Sequence, residues 1–251
     1  ASELSRNLAA LFRENPEDHV ADGEIAMPGS ALLARSPATG KPIVLELVSR
    51  FARAHGLTAP GSAAASFIQH YAETCLPGFL TLMTRYGLSL EGHLQNSVAV
   101  FRDGTPVRML VRDFGGVRIL GDRLQARGLS AHFHPGSATV IDDVSDLRNK
   151  LVYPVFQNHL GEVIATLVRD GGADARDLWG RVVGVCRAVY RELRADEAIA
   201  EQARQDEAAL FAPSVDLKAM VTMRLKGDVT RYTFAQVPNP LAMADRGPDL
   251  T

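Results

Sequence analysis

The sequence predicts an α+β fold, mainly helical, with a small antiparallel β-meander set into it. Two observations carry this. Apolar residues recur at helical spacing through residues 43–55, 63–86 and 143–170. Between them, "SVAVF" (97–101) and "PVRMLVRDF" (106–114) are rich in β-branched residues and are joined by "RDGT", which carries an Asp-Gly turn signal. On this reading the 251 residues divide into a mostly helical stretch (1–86), a hairpin stretch (87–120) and a second helical stretch (121–251).

Taken in order, residues 1–20 predict a helix capped by Ser5, with Leu8, Leu11 and Phe12 on one face. "DGEIAMPGSALLARSPATGKP" (22–42) reads as a loop with a short helix, and "IVLELVSRFARAH" (43–55) as a helix. The long pattern from Ala63 to Tyr86 contains Pro77, which either kinks it or starts a second helix after Thr74, and Gly87 ends it. "GVRIL" (116–120) is expected as the meander's third strand. Residues 143–170 read as a helix capped by Ser145 and interrupted at Pro154, and 174–209 as one or two more helices. "LKAMVTMRL" (217–225) is of open type, and the tail from Val237 reads as irregular.

Hydrophobic residues make up 46% and charged residues 22%, the balance of a globular chain with a core. The net charge is −2, with no basic excess to suggest nucleic acid or an anionic membrane as partner. The two cysteines, Cys75 and Cys186, lie far apart with no CxxC, which excludes a Cys-only zinc or iron–sulfur site of the usual spacing. They read as core residues in a reducing compartment. No apolar run approaches the ~20 residues of a membrane span, and no signal peptide is evident. A cytoplasmic location is expected.

The chemistry concentrates in "LEGHLQNSVAVFRDGTPVRMLVRDFGG" (90–116). Asn96 precedes the first strand and Asp113 closes the second, and a tight hairpin returns its ends to one another. Asp and Asn oxygens suit magnesium, which takes one or two carboxylates together with phosphate oxygens. Protein kinases use the same logic with an Asn, two strands and a DFG Asp. The triplet Asp113-Phe114-Gly115 occurs here, but HRD, the Gly-rich loop and the strand lysine of kinases do not. If 91–96 ends a helix, His93 and Asn96 share a face, and His93 could donate to a phosphate or carboxylate. A capped helix leading into a polar hairpin is the other reading of the same residues.

The stretch "YGLSLEGHLQNSVAVFRDGTPVRMLVRDFGGVRI" resembles the signature of the NRPS-independent siderophore synthetases, the aerobactin-synthetase-like IucA/IucC family. "LAALFRENP", "ALLARSPATGKPIVLELV", "KLVYPVFQNHLGEVI" and "LKAMVTMRL" with the later "NPLA" resemble its C-terminal half in the same order. The resemblance implies a cupped-hand fold with a kinase-like ATP site. It implies activation of citrate or a related polycarboxylic acid by ATP and magnesium, then attack by an amine or hydroxyl. By motif position, Glu91, Asn96 and Asp113 would hold magnesium (Mg2+). His93 would contact the α-phosphate or the acid and act catalytically, and His93, Asn96 and Asp113 would bind ATP. Partners implied are the N-terminal half of the same enzyme and a second copy in a homodimer. The family's Ser/Thr–Arg segment does not occur in this sequence, so the chain by itself is expected not to complete adenylation.

The rival readings are a FhuF-like ferric-siderophore reductase and a non-catalytic binding or dimerisation module. The reductase holds its cluster on closely spaced cysteines near the C-terminus, and the last 65 residues here contain none. Of the remaining candidates, His132 and His134 read as loop residues, and His159, Gln95 and Arg112 as mainly structural. The charged run 191–209 reads as a solvated face, and "LKAMVTMRL" as a packing segment, the alternative being that it lays Lys218 and Arg224 near the cleft.

Overall fold

The computed structural model describes residues 12, 14–134, 137–227 and 233–245. Most of the helix expected over residues 1–20 lies outside them; a single 3-10 turn, Pro16–His19, follows the Asn15 cap. The segment expected as a loop contains a strand, β1 (Glu24–Pro28), and then a short helix, α1 (Gly29–Leu33). Next come α2 (Ile43–Ala54) and the 27-residue α3 (Pro60–Tyr86), the spine of the core.

α3 runs without a break through Pro77. An interior proline costs about 3 kcal/mol. The burial of Leu76, Phe79 and Leu80 around it, at roughly 1.5–3 kcal/mol per side chain, outweighs that cost. Gly87 ends the helix in the left-handed region (φ 68°), its N–H reaching the Leu82 and Met83 carbonyls.

After α3 the chain forms β2 (Leu88–Ser89), β3 (Ser97–Arg102) and β4 (Thr105–Val111). β3 and β4 are the predicted hairpin. Asp103 (φ 51°) and Gly104 (φ 83°) both take positive φ at its turn, as a two-residue I′ connection demands. The expected meander is corrected in its third strand. That strand is β1, antiparallel to β3 from Glu24↔Arg102 to Pro28↔Val98. Residues 118–120 form β5, which pairs instead with β2 and, in parallel, with β6 (Val140–Ile141). The reason is local: Asp113 sits at φ 66°, ψ 86° and leads a 3-10 turn over Phe114–Gly116, which carries the chain away from β4.

A short helix, α4 (Gly121–Gln125), follows β5. The helix predicted over 143–170 is three segments: α5 (Val144–Leu151), a π-helix (Val152–Leu160) that contains Pro154, and α6 (Gly161–Gly171). Its cap is Asp143, which accepts from the Ser145 N–H, not Ser145 itself. α7 (Ala175–Arg194) packs along α3, and α8 (Ala200–Leu210) closes that side. The run 191–209 is not solvated throughout. Asp206 is 1% exposed and takes Arg123 in a two-pronged bond (2.6 and 3.0 Å) with Arg148 Nε at 2.9 Å, while the nearly buried Glu207 pairs with Arg187 and Arg194.

The last region is not purely helical. β7 (Ser214–Lys218) pairs with β8 (Phe234–Pro238), α9 (Met220–Lys226) lies between them, and α10 (Pro240–Asp245) follows. The tail read as irregular thus begins with a strand and a helix. Asn239 organises the start of α10, donating to the Leu210 and Ala212 carbonyls and accepting from the Leu241 N–H.

Candidate functional site

The loop 90–96, between β2 and β3, is a turn and not the end of a helix. Asn96 and Ser97 both donate to the His93 carbonyl at 3.0 Å. The expected shared helical face of His93 and Asn96 is therefore replaced by a tight reversal. Gly92 is required at its base: a Cβ there would lie 2.4 Å from the Phe79 ring and 2.9 Å from Val155 Cγ2. The buried Gly92 carbonyl accepts from Ser97 Oγ at 3.0 Å and lies 3.2 Å from His159 Nδ1.

His159 is fully buried, and burial pushes its imidazole down to about 4, so the ring is neutral near pH 7. A carbonyl only accepts, so Nδ1 carries the proton, and Nε2 accepts from the Tyr71 hydroxyl at 2.6 Å. Burial raises the Tyr71 phenol well above its ordinary value, which keeps it a donor. His159 is thus a structural histidine that mounts the motif loop. Its neighbour Asn158 accepts from the Leu94 N–H at 3.3 Å, and the Leu94 carbonyl accepts from Ser30 N–H at 3.0 Å.

The two halves of the motif meet. Glu91 Oε1 is 2.8 Å from Lys150 Nζ. A Cβ added to Gly116 would stand 2.0 Å from Glu91 Oε2, so the carboxylate lies directly on the glycine backbone that follows Asp113. At the hairpin base Ser97 pairs with Val111, and the Arg112 N–H donates to the Asn96 carbonyl at 2.9 Å. Arg112 Nε donates to the Gln95 carbonyl at 3.0 Å, so the arginine side chain clamps the backbone of Gln95. Asn96 is buried, and its Nδ2 donates to the Glu91 carbonyl at 3.2 Å. Asp113 is exposed, and its Oδ1 accepts from the Gly115 N–H at 3.2 Å. His93 is half-buried, and its Nδ1 accepts from the Gln95 N–H at 3.2 Å, which leaves Nε2 for a ligand.

Glu91 also lines a cleft of about 540 Å³ with Arg118, Asp146, Lys150, Tyr153 and Lys218. Three cations face two carboxylates, a lining that favours an anion. Arg118, Lys150 and Tyr153 were not singled out by the sequence. Lys150 and Tyr153 lie in "KLVYP", one of the resembling segments, but their convergence with Glu91 depends on α5 packing beside β2 and β5. His132 and His134 are exposed on the loop before β6, and Arg224 is exposed on α9. Among the described residues no group of three or more His, Cys, Asp or Glu side chains is arranged to hold a metal ion. Glu91, Asn96 and Asp113 offer two carboxylates and an amide. Cys75 and Cys186 are buried, the first thiol pushed up to about 12 and the second higher still, so neither offers a thiolate near neutral pH. No helix among the described residues is long and apolar enough to cross a membrane.

Comparison with known proteins agrees with this architecture. Residues 65–233 match the family model described as ferric iron reductase FhuF-like transporter. The chain is 32% identical to D-ornithine–citrate ligase of Staphylococcus aureus, over 96% of this chain and 38% of that protein. The crystal structure of petrobactin biosynthesis protein AsbB from Bacillus anthracis superposes with a TM-score of 0.76 at 20% identity, covering 93% of this chain and 38% of that one. ATP-bound aerobactin synthetase IucA from Klebsiella pneumoniae does so with 0.67 at 21%, covering 86% and 36%. The chain thus spans 38% of the length of the ligase it matches. Matched over 65–233 by the family model, the chain belongs to the FhuF-like family, and its homologues along nearly its whole length are NRPS-independent siderophore synthetases.

Proposed function

We propose that this chain is the part of an ATP-dependent siderophore synthetase that binds nucleotide phosphates and the acid to be activated. The observation that carries the proposal is the packing of Glu91 against Gly116 and Lys150, which gathers both halves of the motif beside one cationic cleft. In the reaction, a carboxylate oxygen of citrate or a related acid bonds to the α-phosphorus of ATP and pyrophosphate leaves. An amine or hydroxyl then attacks the acyl carbon, giving amide or ester and AMP, with loss of its proton.

The donor set fits magnesium: two carboxylates and an amide are hard oxygen ligands, and Asn96 Oδ1 accepts no hydrogen bond among the described residues. Asn96 and Asp113 would hold the ion, with Glu91 as the second carboxylate. Magnesium, when bound, offsets the charge of the phosphates. His93 presents Nε2 to the α-phosphate or the acid. Arg118, Lys150 and Lys218 receive the acid's other carboxylates, and Lys150 also keeps Glu91 in place. ATP brings roughly four negative charges and citrate about three more, and like charges packed together cost several kcal/mol where water is excluded. Three cations facing Glu91 and Asp146 do not offset that total. Further cations must come from outside residues 1–251, from the N-terminal half of the relatives' fold. A cytoplasmic homodimer is the assembly we expect.

The FhuF-like reductase reading has little support here, because both thiols are buried and stay protonated. The test is pyrophosphate release by the full-length protein with ATP, magnesium, citrate and a panel of amines. Acid-dependent release is expected from that protein and not from residues 1–251 alone. Its absence across the panel, or release by residues 1–251 alone, would overturn the reading.

A further inference from the structure

Asn158 and His159 are consecutive residues of the π-helix, and they hold the peptide groups on the two sides of His93. Asn158 Oδ1 takes the Leu94 N–H at 3.3 Å, and His159 Nδ1 lies 3.2 Å from the Gly92 carbonyl. Tyr71, from α3, fixes the far nitrogen of His159 at 2.6 Å, so the imidazole has no rotational freedom left. π-helical turns are uncommon and recur at functional sites. This one presents two neighbouring side chains to one short loop.

The other limbs of the motif are held by different groups. Asn96 and Gln95 are tied by Arg112, and Glu91 by Lys150. The bracket therefore acts on one side chain. We infer that Asn158, His159 and Tyr71 form a positioning device for His93, which sets the backbone frame from which its imidazole meets the substrate. The catalytic arm of this inference rests on the function proposed above; the structural arm does not. A misplacement of about 1 Å can cost on the order of a hundredfold in rate.

The experiment uses the full-length protein with Asn158→Ala and His159→Leu. Amide hydrogen exchange is read over residues 90–97, and pyrophosphate release is read with and without His93→Ala. Asn158 is half-buried, so Asn158→Ala carries the test if His159→Leu does not fold. The Leu94 amide should exchange at least tenfold faster in Asn158→Ala; unchanged exchange overturns the device. Asn158→Ala should lower kcat about tenfold while the affinity for magnesium-ATP stays within twofold. In the His93→Ala background the same change should cost less than twofold. An equal loss in both backgrounds means that Asn158 does not act through His93 and overturns the inference. If the wild-type protein releases no pyrophosphate with any acid, the proposed function fails, and the exchange result still decides whether the bracket holds the loop.

Discussion

Replacing His159 should remove a defined part of the protein's acid sensitivity. The imidazole is fully buried and titrates at about 4 in the fold, against 6.5 for an unperturbed histidine, because burial penalises its charged form more than the Gly92 carbonyl helps it. Between those two pH values the unfolded chain binds a proton that the folded chain refuses. Stability is therefore complete above about pH 6.5, falls as the pH drops, and flattens below about 4. A gap of about 2.5 units at about 1.4 kcal/mol each gives roughly 3 kcal/mol lost over that window. The assay is urea unfolding near pH 7 and near pH 4 for the wild type and for His159→Asn, whose amide can still donate to Gly92. Carboxylates titrate in both proteins, so their contribution cancels in the difference. The variant should be less stable near neutrality and should lose about 3 kcal/mol less on acidification. Parallel pH profiles would refute the assignment of a neutral, buried His159.

Four more outcomes follow from the site and its mounts. Asp113→Ala should abolish acid-dependent pyrophosphate release while the protein stays folded, at a cost of about 1–2 kcal/mol for the lost bond from the Gly115 N–H and for an Ala at positive φ; near-normal release would remove it from the site. Asn96→Ala should be milder and partly restored by added magnesium, and a rate indifferent to magnesium would show that it is no ligand. Lys150→Met removes one of three cations from the cleft and frees Glu91 Oε1; the KM for the acid should rise at least tenfold, and an unchanged KM would place the acid elsewhere. Arg123→Met removes the two-pronged bond to the buried Asp206 and leaves Arg148 paired with it. Urea unfolding should show a loss of about 1.5–3 kcal/mol, and a loss below about 1 kcal/mol would mean that water reaches the carboxylate.

What could be read from the sequence was what is decided locally. The Asp103-Gly104 turn announces its hairpin because two positive-φ residues leave the backbone little choice. The apolar spacing of α2 and α3 is likewise a property of one segment. β1 was missed because "EIAMP" is short, alternates poorly and ends on proline; it exists because β3 offers it an edge. β5 was recognised as a strand but given the wrong neighbours, since its partners lie about 30 residues upstream and 20 downstream in sequence, and no local signal sets such register. Glu91, His93, Asn96 and Asp113 stood out because their residue types cluster around one hairpin. Arg118, Lys150 and Tyr153 did not, because only packing brings them to the same cleft. Asp206 and Glu207 sat in a run whose charge density looked like solvent exposure, yet four arginines hold them inside.

The π-helix sets a phase as well as a mount. Lys150 precedes it, Asn158 and His159 lie within it, and all three reach the loop from Glu91 to Leu94. Gln157, also within it, donates to the Asp216 carbonyl of β7, which leads on to Lys218. Removing a single residue between 152 and 157 would rotate everything on one side by roughly a quarter of a turn relative to the other. Lys150 would then turn from Glu91 whenever His159 faced Gly92. A one-residue deletion there would uncouple the cationic cleft from the histidine loop while leaving every named residue in the chain.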